Sequence, residues 1–201
     1  MAEPTRWVTD TDENHSQWYI DRFRAMAADG VDLAGEARLL DAMLGRGARV
    51  LDAGCGPGRV GAELHARGHH VVGVDADPAL IAAAEEDHPG PRWLVGDLSE
   101  LDLAATGEAR PFDAVVMAGN VLAFVAPGTE PAVFGRLAAH LAPDGFLVVG
   151  LGTDRGYPVT SMDADAGAAG LTLEHRFATW DLRPWRDDAD FGVSVYRRPA
   201  A

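Results

Sequence analysis

The sequence predicts an α/β fold, a doubly wound sheet of mostly parallel strands with an antiparallel strand at its end. Three observations predict it. From Arg49 onward, short apolar runs alternate with helical patterns, as in strands joined by crossover helices. The stretch Arg49-Val-Leu-Asp-Ala-Gly-Cys-Gly-Pro-Gly-Arg-Val-Gly61 passes from a buried strand, through glycines that permit a tight turn, into a helix. The last two apolar runs, 171–180 and 191–198, are separated by the acidic segment 181–190, which is too short for a crossover helix, so these strands must be antiparallel.

Residues 1–12 are polar and lack apolar periodicity, which predicts a loose arm. Asn14 and Gln17 have the spacing of an N-cap and its reciprocal partner. They would open a helix with Tyr19, Phe23, Met26 and Ala27 on one face, ended by Gly30. A second helix from Asp32 aligns Leu33, Ala37, Leu40 and Leu44 and closes at Gly45 and Gly47. Residues 1–47 are thus expected to be an arm and helical lid on a core of 48–201, one compact domain in all. In that core the pattern gives strand 50–53, helix 58–67, strand 70–75 and helix 78–87, with Asp77 as N-cap and Pro78 at the first helical position. Strands 92–96 and 112–118 follow. Pro127-Gly-Thr129 opens a helix carrying Val133, Leu137 and Leu141, and Pro143-Asp-Gly145 is a turn into strand 146–150. A glycine-bearing loop, 151–158, and a small helix, 161–169, precede the closing strand pair.

The chain has 201 residues and a net charge of -14, from 31 acids against 17 basic residues that are all arginine. Nucleic acid is disfavoured as a partner, because phosphate contacts supply much of its affinity and no basic cluster is visible. The lack of lysine removes Schiff-base enzymes and phosphate-loop NTPases. No apolar run approaches the roughly 18 residues of a membrane span. The N-terminal Met1-Ala-Glu-Pro-Thr-Arg6 lacks the pattern of a secretory signal, and the single cysteine, Cys55, forbids an intrachain disulfide, so a cytoplasmic monomer or homodimer is expected. No metal motif is present. His65 and His69 are interrupted by Gly68 and belong at the surface, and Cys55 has no partner base and fills the turn.

Two ligands compete for the glycine corner. Gly56, Gly58 and Gly61 match the dinucleotide fingerprint G-x-G-x-x-G, with Asp75 about 20 residues on, where such folds bind ribose. Against this, Asp52 at the mouth of the turn opposes a pyrophosphate and suits a cationic cofactor. Val95-Gly96-Asp97-Leu98 brings another acid and an apolar residue to the same sheet edge, and a dinucleotide fold does not need the closing strand pair. Residues 49–198 carry, in order, Val50-Leu-Asp-Ala-Gly-Cys-Gly-Pro-Gly58, Val74-Asp-Ala-Asp-Pro78, Gly96-Asp-Leu98, Phe112-Asp-Ala-Val-Val116 and Leu141-Ala-Pro-Asp-Gly-Phe-Leu147. With these motifs the chain resembles the class I, Rossmann-like S-adenosylmethionine-dependent methyltransferases, specifically the small bacterial ones acting on small molecules.

The resemblance implies a seven-stranded sheet with a reversed last strand, S-adenosylmethionine as cofactor and S-adenosylhomocysteine as product. It implies Asp52, Gly54, Gly56 and Gly58 around the methionine moiety and Asp75 on the ribose hydroxyls. Ala76 would lie against the adenine, Asp97 would receive its amino group, Leu98 would pack the ring, and the Ala118 carbonyl would accept from the ammonium. Tyr19 is either the aromatic that related enzymes place near the cofactor carboxylate or a member of its helix's apolar face. On the acceptor side, Asn120 follows the fourth strand and is expected to point at the reaction centre, and Arg155 and Tyr157 sit on the loop after the fifth. His15 is the candidate general base, because histidine is the side-chain type suited to general acid and base work near neutral pH. The acceptor is expected to be a small molecule offering O, N or S. An NAD-dependent oxidoreductase and a non-catalytic S-adenosylmethionine-binding regulator remain as alternatives.

Overall fold

The computed structural model describes residues 3–200. Seven strands form one sheet: β1 (Arg49–Ala53), β2 (His70–Asp75), β3 (Arg92–Val95), β4 (Phe112–Met117), β5 (Leu141–Gly152), β6 (Thr172–Phe177) and β7 (Phe191–Arg197). Their order is β3-β2-β1-β4-β5-β7-β6. The first five pair in parallel, and β7 runs antiparallel to both β5 and β6. Among the described residues seven α-helices accompany them: α1 (Arg6–Thr9), α2 (His15–Ala28), α3 (Gly35–Met43), α4 (Arg59–Ala66), α5 (Pro78–Asp87), α6 (Glu130–His140) and α7 (Val159–Ala168).

The central strands are buried on both faces, which is why they read as continuous apolar runs. Alternate residues serve opposite cores. Leu51, Val115, Met117, Leu147 and Val149 pack with Val133, Leu137 and Met162 of α6 and α7. Val50, Val116 and Val148 pack with Ala37 and Leu40 of α3 and Val60 and Leu64 of α4. The strand order reverses direction at β1, flanked by β2 and β4, so the crevice beyond their carboxyl ends is where such a sheet holds its ligand. Among the described residues no helix is long and apolar enough to cross a membrane.

Trp93 of β3 is the packing centre beneath the glycine corner. A Cβ built on Gly73 would lie 2.3 Å from its ring, one on Gly61 2.9 Å and one on Gly58 3.0 Å. The three glycines therefore make room for one indole, whose Nε1 donates to the His88 carbonyl at 3.0 Å. Gly73→Ala should cost about 1–3 kcal/mol through overpacking in a sheet with little room to shift. In a chain of this size that is a melting temperature lower by roughly 2–12 °C, checked by calorimetry. An unchanged melting temperature would mean that Trp93 can move aside freely.

Several local expectations need correcting. Within the arm, Arg6–Thr9 is a helical turn held to the body, since the Arg6 guanidinium reaches Glu130 at 3.4 Å and Trp7 Nε1 donates to Asp77 Oδ2 at 2.9 Å. Residues 1 and 2 of that arm lie outside the described residues. Asn14 makes no capping bond, because its own backbone is already helical, at φ -98° and ψ -3°, and its N–H donates to Asp12 Oδ1 at 2.8 Å; Gln17 Nε2 donates to Asp21 Oδ1 at 2.9 Å, one turn along the same helix. The second helix starts at Gly35 rather than Asp32, whose carboxylate accepts from the Ala34 N–H ahead of it. Pro143-Asp-Gly145 is a bulge inside β5: Phe112 pairs with Leu141 and Ala114 with Phe146, so the extra residues loop out between two registers of one strand. β6 ends at Phe177, where Ala178 N–H donates to the Arg183 carbonyl and turns the chain. His69 is buried, not superficial, its Nε2 3.1 Å from Asp41 Oδ1.

Candidate active site

The corner is built from β1 outward. Gly54, Gly56 and Gly58 have φ of 76°, 55° and 86°, conformations that cost other L-residues energy. The N–H groups of Gly54 and Cys55 both donate to the Val74 carbonyl, at 2.8 and 3.0 Å, which locks the turn to the end of β2. From there Asp75 Oδ2 accepts from Gly56 N–H at 2.9 Å and Oδ1 from Asp77 N–H at 3.0 Å. Asp77 caps α5 by accepting from Ala79 N–H at 2.8 Å, with Pro78 at the first position, as the sequence predicts.

Above the corner lies a cavity of about 330 Å³. Its floor and one wall are Gly54, Gly56, Asp75, Ala76, Asp97 and Leu98, with Ala118 and Asn120 from the end of β4. The opposite wall comes from the arm and α2: Thr5, Trp7, His15, Trp18, Tyr19, Arg22 and Phe23. Phe124 completes it. Trp7 meets His15, Tyr19 and Phe124 edge to face, at centroid distances of 4.6, 5.3 and 5.2 Å. Asp52 lines a smaller adjoining cavity of about 40 Å³, shared with Tyr19, Gly54 and Ala118.

Of the residues expected around the ligand, Gly58 is the one that lines neither cavity. Its left-handed φ makes the turn, but its Cβ position faces Ala84 and Trp93, away from the opening. Asn120 lines the cavity, yet its Oδ1 accepts from Gly152 N–H at 2.7 Å, so its amide NH₂ is the group left for a ligand. Arg155 and Tyr157 do not reach the cavity: Tyr157 donates to Asp165 Oδ2 at 2.6 Å, and Arg155 pairs with Asp154. Thr5, Trp7, Arg22 and Phe124 had no sequence signal as site residues. They arrive through contacts between segments far apart in the chain, with Trp7 alone, an isolated aromatic in a polar arm, hinting at a packing role.

Burial governs the electrostatics. Asp52 is almost fully enclosed, and its carboxyl is pushed up to about 7 by desolvation, against the 2.8 Å hydrogen bond that Oδ2 accepts from Gly61 N–H. Asp75 is also raised by burial, opposed by the backbone donors of Asp77 and Gly56. Cys55 is pushed well up by burial and by the neighbouring Asp52 and Asp75, which leaves it a thiol and no nucleophile. The Tyr19 phenol is raised by burial, partly offset by Arg59. Arg59 pairs with Glu36 at 2.6 Å and also reaches the Leu33 carbonyl, tying α3 to the first turn of α4. Among the described residues no cluster of three metal-ligating side chains exists.

These groups fit S-adenosylmethionine. At Gly56 a Cβ would enter the cavity and stop 3.6 Å from the Tyr19 ring, so the bare backbone there forms a cradle. Each Asp75 oxygen has one backbone donor and a further lone pair for a hydroxyl. Asp97 spends Oδ1 on the Ser99 N–H and hydroxyl, both at 2.7 Å, leaving Oδ2 for an amino group. The third glycine of the apparent dinucleotide fingerprint has a different origin. Gly61 is required by Trp93 and by Asp52 Oδ2, 3.0 Å from where its Cβ would be.

Comparison with known proteins agrees. A profile described as methyltransferase domain matches residues 50–145. A TehB-like S-adenosylmethionine-dependent methyltransferase from Corynebacterium glutamicum is 42% identical, with a TM-score of 0.87 over 93% of this chain and 100% of that one. Ribosomal protein L11 methyltransferase of Marinobacter nauticus is 39% identical over 122 residues, 60% of this chain and 35% of that protein. Trans-aconitate 2-methyltransferase of Delftia acidovorans is 32% identical over 114 residues, 56% of this chain and 41% of that protein. The chain thus spans less than half the length of these two curated relatives. The oxidoreductase reading of the glycine spacing falls, and S-adenosylmethionine is the cofactor. In its fold, its glycine corner and its likeness to the Corynebacterium enzyme along nearly its whole length, the chain belongs to the class I S-adenosylmethionine-dependent methyltransferases.

Proposed function

We propose that this chain transfers a methyl group from S-adenosylmethionine to an O, N or S nucleophile of a small molecule. The observation that carries the small-molecule reading is the roof of the cavity. Trp7 of α1 and the aromatic face of α2 cover it, so a bulky protein acceptor would first have to strip the arm away. The charge of -14 further disfavours a nucleic-acid acceptor.

In this reading Asp75 takes the ribose hydroxyls, Ala76 and Leu98 flank the adenine, and Asp97 accepts from its amino group. Asp52, Gly54, Gly56 and the Ala118 carbonyl surround the methionine end, with the arm, Tyr19 and the rest of α2 as the lid; α3, expected in that lid, packs instead in the core against α4 and the sheet. The cofactor supplies a methyl group already activated by a positive sulfonium, so the protein's contribution is binding, alignment and exclusion of water. His15 and the Asn120 amide are the side chains proposed to face the acceptor, His15 as the group able to take its proton.

The test is a screen of metabolite acceptors read by release of S-adenosylhomocysteine, with purified ribosomal proteins as a parallel arm. Turnover on a small molecule and none on protein supports the proposal. Turnover on protein alone overturns the substrate class, and tight cofactor binding without any turnover leaves a regulator in place of an enzyme.

A further inference from the structure

We infer that Arg22 selects acceptors bearing a carboxylate, held by its guanidinium beside the aromatic wall of Trp7, Trp18 and Phe124. This rests on the methyltransferase reading of the same cavity.

Arginines are scarce against 31 acidic residues, and most of them are paired with a carboxylate, as Arg6 is with Glu130, Arg24 with Asp87 and Arg59 with Glu36. Arg22 is different. It is the one basic side chain among the described residues that lines the cavity, apart from the imidazole of His15, and it forms none of the ion pairs found among them. Its position is set by aromatics: the guanidinium carbon lies 5.6 Å from the centre of the Trp18 ring and 5.9 Å from that of Phe23. Contact with two rings holds the exposed head group on the cavity wall, and no side-chain hydrogen bond or ion pair among the described residues engages its N–H groups, which suits them to capture of a carboxylate.

The two cavity carboxylates do not neutralise it, because Asp75 and Asp97 are turned to backbone and Ser99 donors at the sheet edge. The cavity is thus acidic at the cofactor end and cationic at the α2 end. A neutral or cationic acceptor would leave that free guanidinium unused, whereas an anion completes it. The acceptor that fits has an apolar or aromatic body and one carboxylate.

The cofactor carries a carboxylate of its own, and the experiment separates the two sources. Phenylacetate and phenylacetamide are titrated calorimetrically into the full chain loaded with S-adenosylhomocysteine, as wild type and as Arg22→Gln. S-adenosylhomocysteine and 5′-methylthioadenosine, which lacks the amino-acid end, are titrated into the unloaded proteins. Arg22 is on the outer part of α2, so the variant should fold, as its melting temperature will show. Wild type should bind the acid roughly 10-fold or more tighter than the amide, and Arg22→Gln should erase that preference while changing the S-adenosylhomocysteine affinity by less than about 3-fold. Equal binding of acid and amide, or binding of neither, overturns the inference. So does a variant that loses S-adenosylhomocysteine but keeps 5′-methylthioadenosine, which assigns Arg22 to the cofactor. If wild type fails to bind S-adenosylhomocysteine at all, it is the methyltransferase reading that fails.

Discussion

Asp52→Asn is expected to make the unliganded protein more stable above pH 7 while weakening its hold on S-adenosylmethionine. The side chain is sealed beneath the glycine turn, 1% exposed, and burial lifts its carboxyl from 3.8 to about 7. A folded-state pKa above the unfolded one means that the protonated carboxyl is the tolerated form. Its contribution to stability is complete below the unfolded pKa and is lost as the pH rises through about 7. The displacement corresponds to at most about 4 kcal/mol of penalty carried by the ionised side chain at alkaline pH. Asparagine keeps the shape and still accepts from Gly61 N–H, but cannot ionise. Melting curves from pH 4 to 9 should show the variant several degrees above wild type at pH 8 to 9 and the two converging near pH 4. A gap that does not change with pH would mean that the carboxyl does not titrate in this window. The cofactor's sulfonium and ammonium favour the charged carboxylate, so wild-type affinity should rise as the pH approaches 7 from below, and that dependence should be absent in Asp52→Asn.

Asp75→Ala should have the larger effect on binding. The carboxylate organises the corner twice, accepting from Gly56 N–H and from Asp77 N–H, and its remaining lone pairs are those offered to ribose. Charge-assisted hydrogen bonds contribute about 1.5–3 kcal/mol each, so losing two ribose contacts should weaken S-adenosylhomocysteine by roughly 100-fold or more. Calorimetric titration measures this directly. An affinity within a few fold of wild type would remove Asp75 from the cofactor site. Asp75→Asn should be intermediate, since its amide can serve only one of the two backbone donors as acceptor and turns a donor towards the other.

The succession of β1 to β5 along the chain, the α5 cap at Asp77 and Pro78, and the antiparallel pairing of β6 with β7 were legible because each is written in local residues: apolar alternation, a capping aspartate, a short linker. The ligand's identity was legible for a related reason. Asp52, Asp75 and Asp97 occupy ends of parallel strands, and topology alone brings such ends together. What stayed hidden depends on distant segments. No local pattern tells that Trp93 fills the space left by Gly58, Gly61 and Gly73, or that Trp7 crosses to Asp77, 70 residues away. Gly61 shows how this misleads. Its spacing imitates a dinucleotide fingerprint, whereas its lack of a side chain answers to an indole and a carboxylate behind the turn. In the same way Asn120 sits where expected, but its oxygen holds Gly152 rather than a substrate.

The glycine corner, with Asp52 beneath it and Asp75 and Asp97 beside it, is shaped for a cationic sulfonium cofactor and not for a pyrophosphate. Isothermal calorimetry with S-adenosylhomocysteine and NAD, each titrated into the wild-type chain under the same conditions, tests that most directly. S-adenosylhomocysteine should bind with one site per chain and NAD should give no measurable heat of binding. Binding of NAD with S-adenosylhomocysteine silent would contradict it.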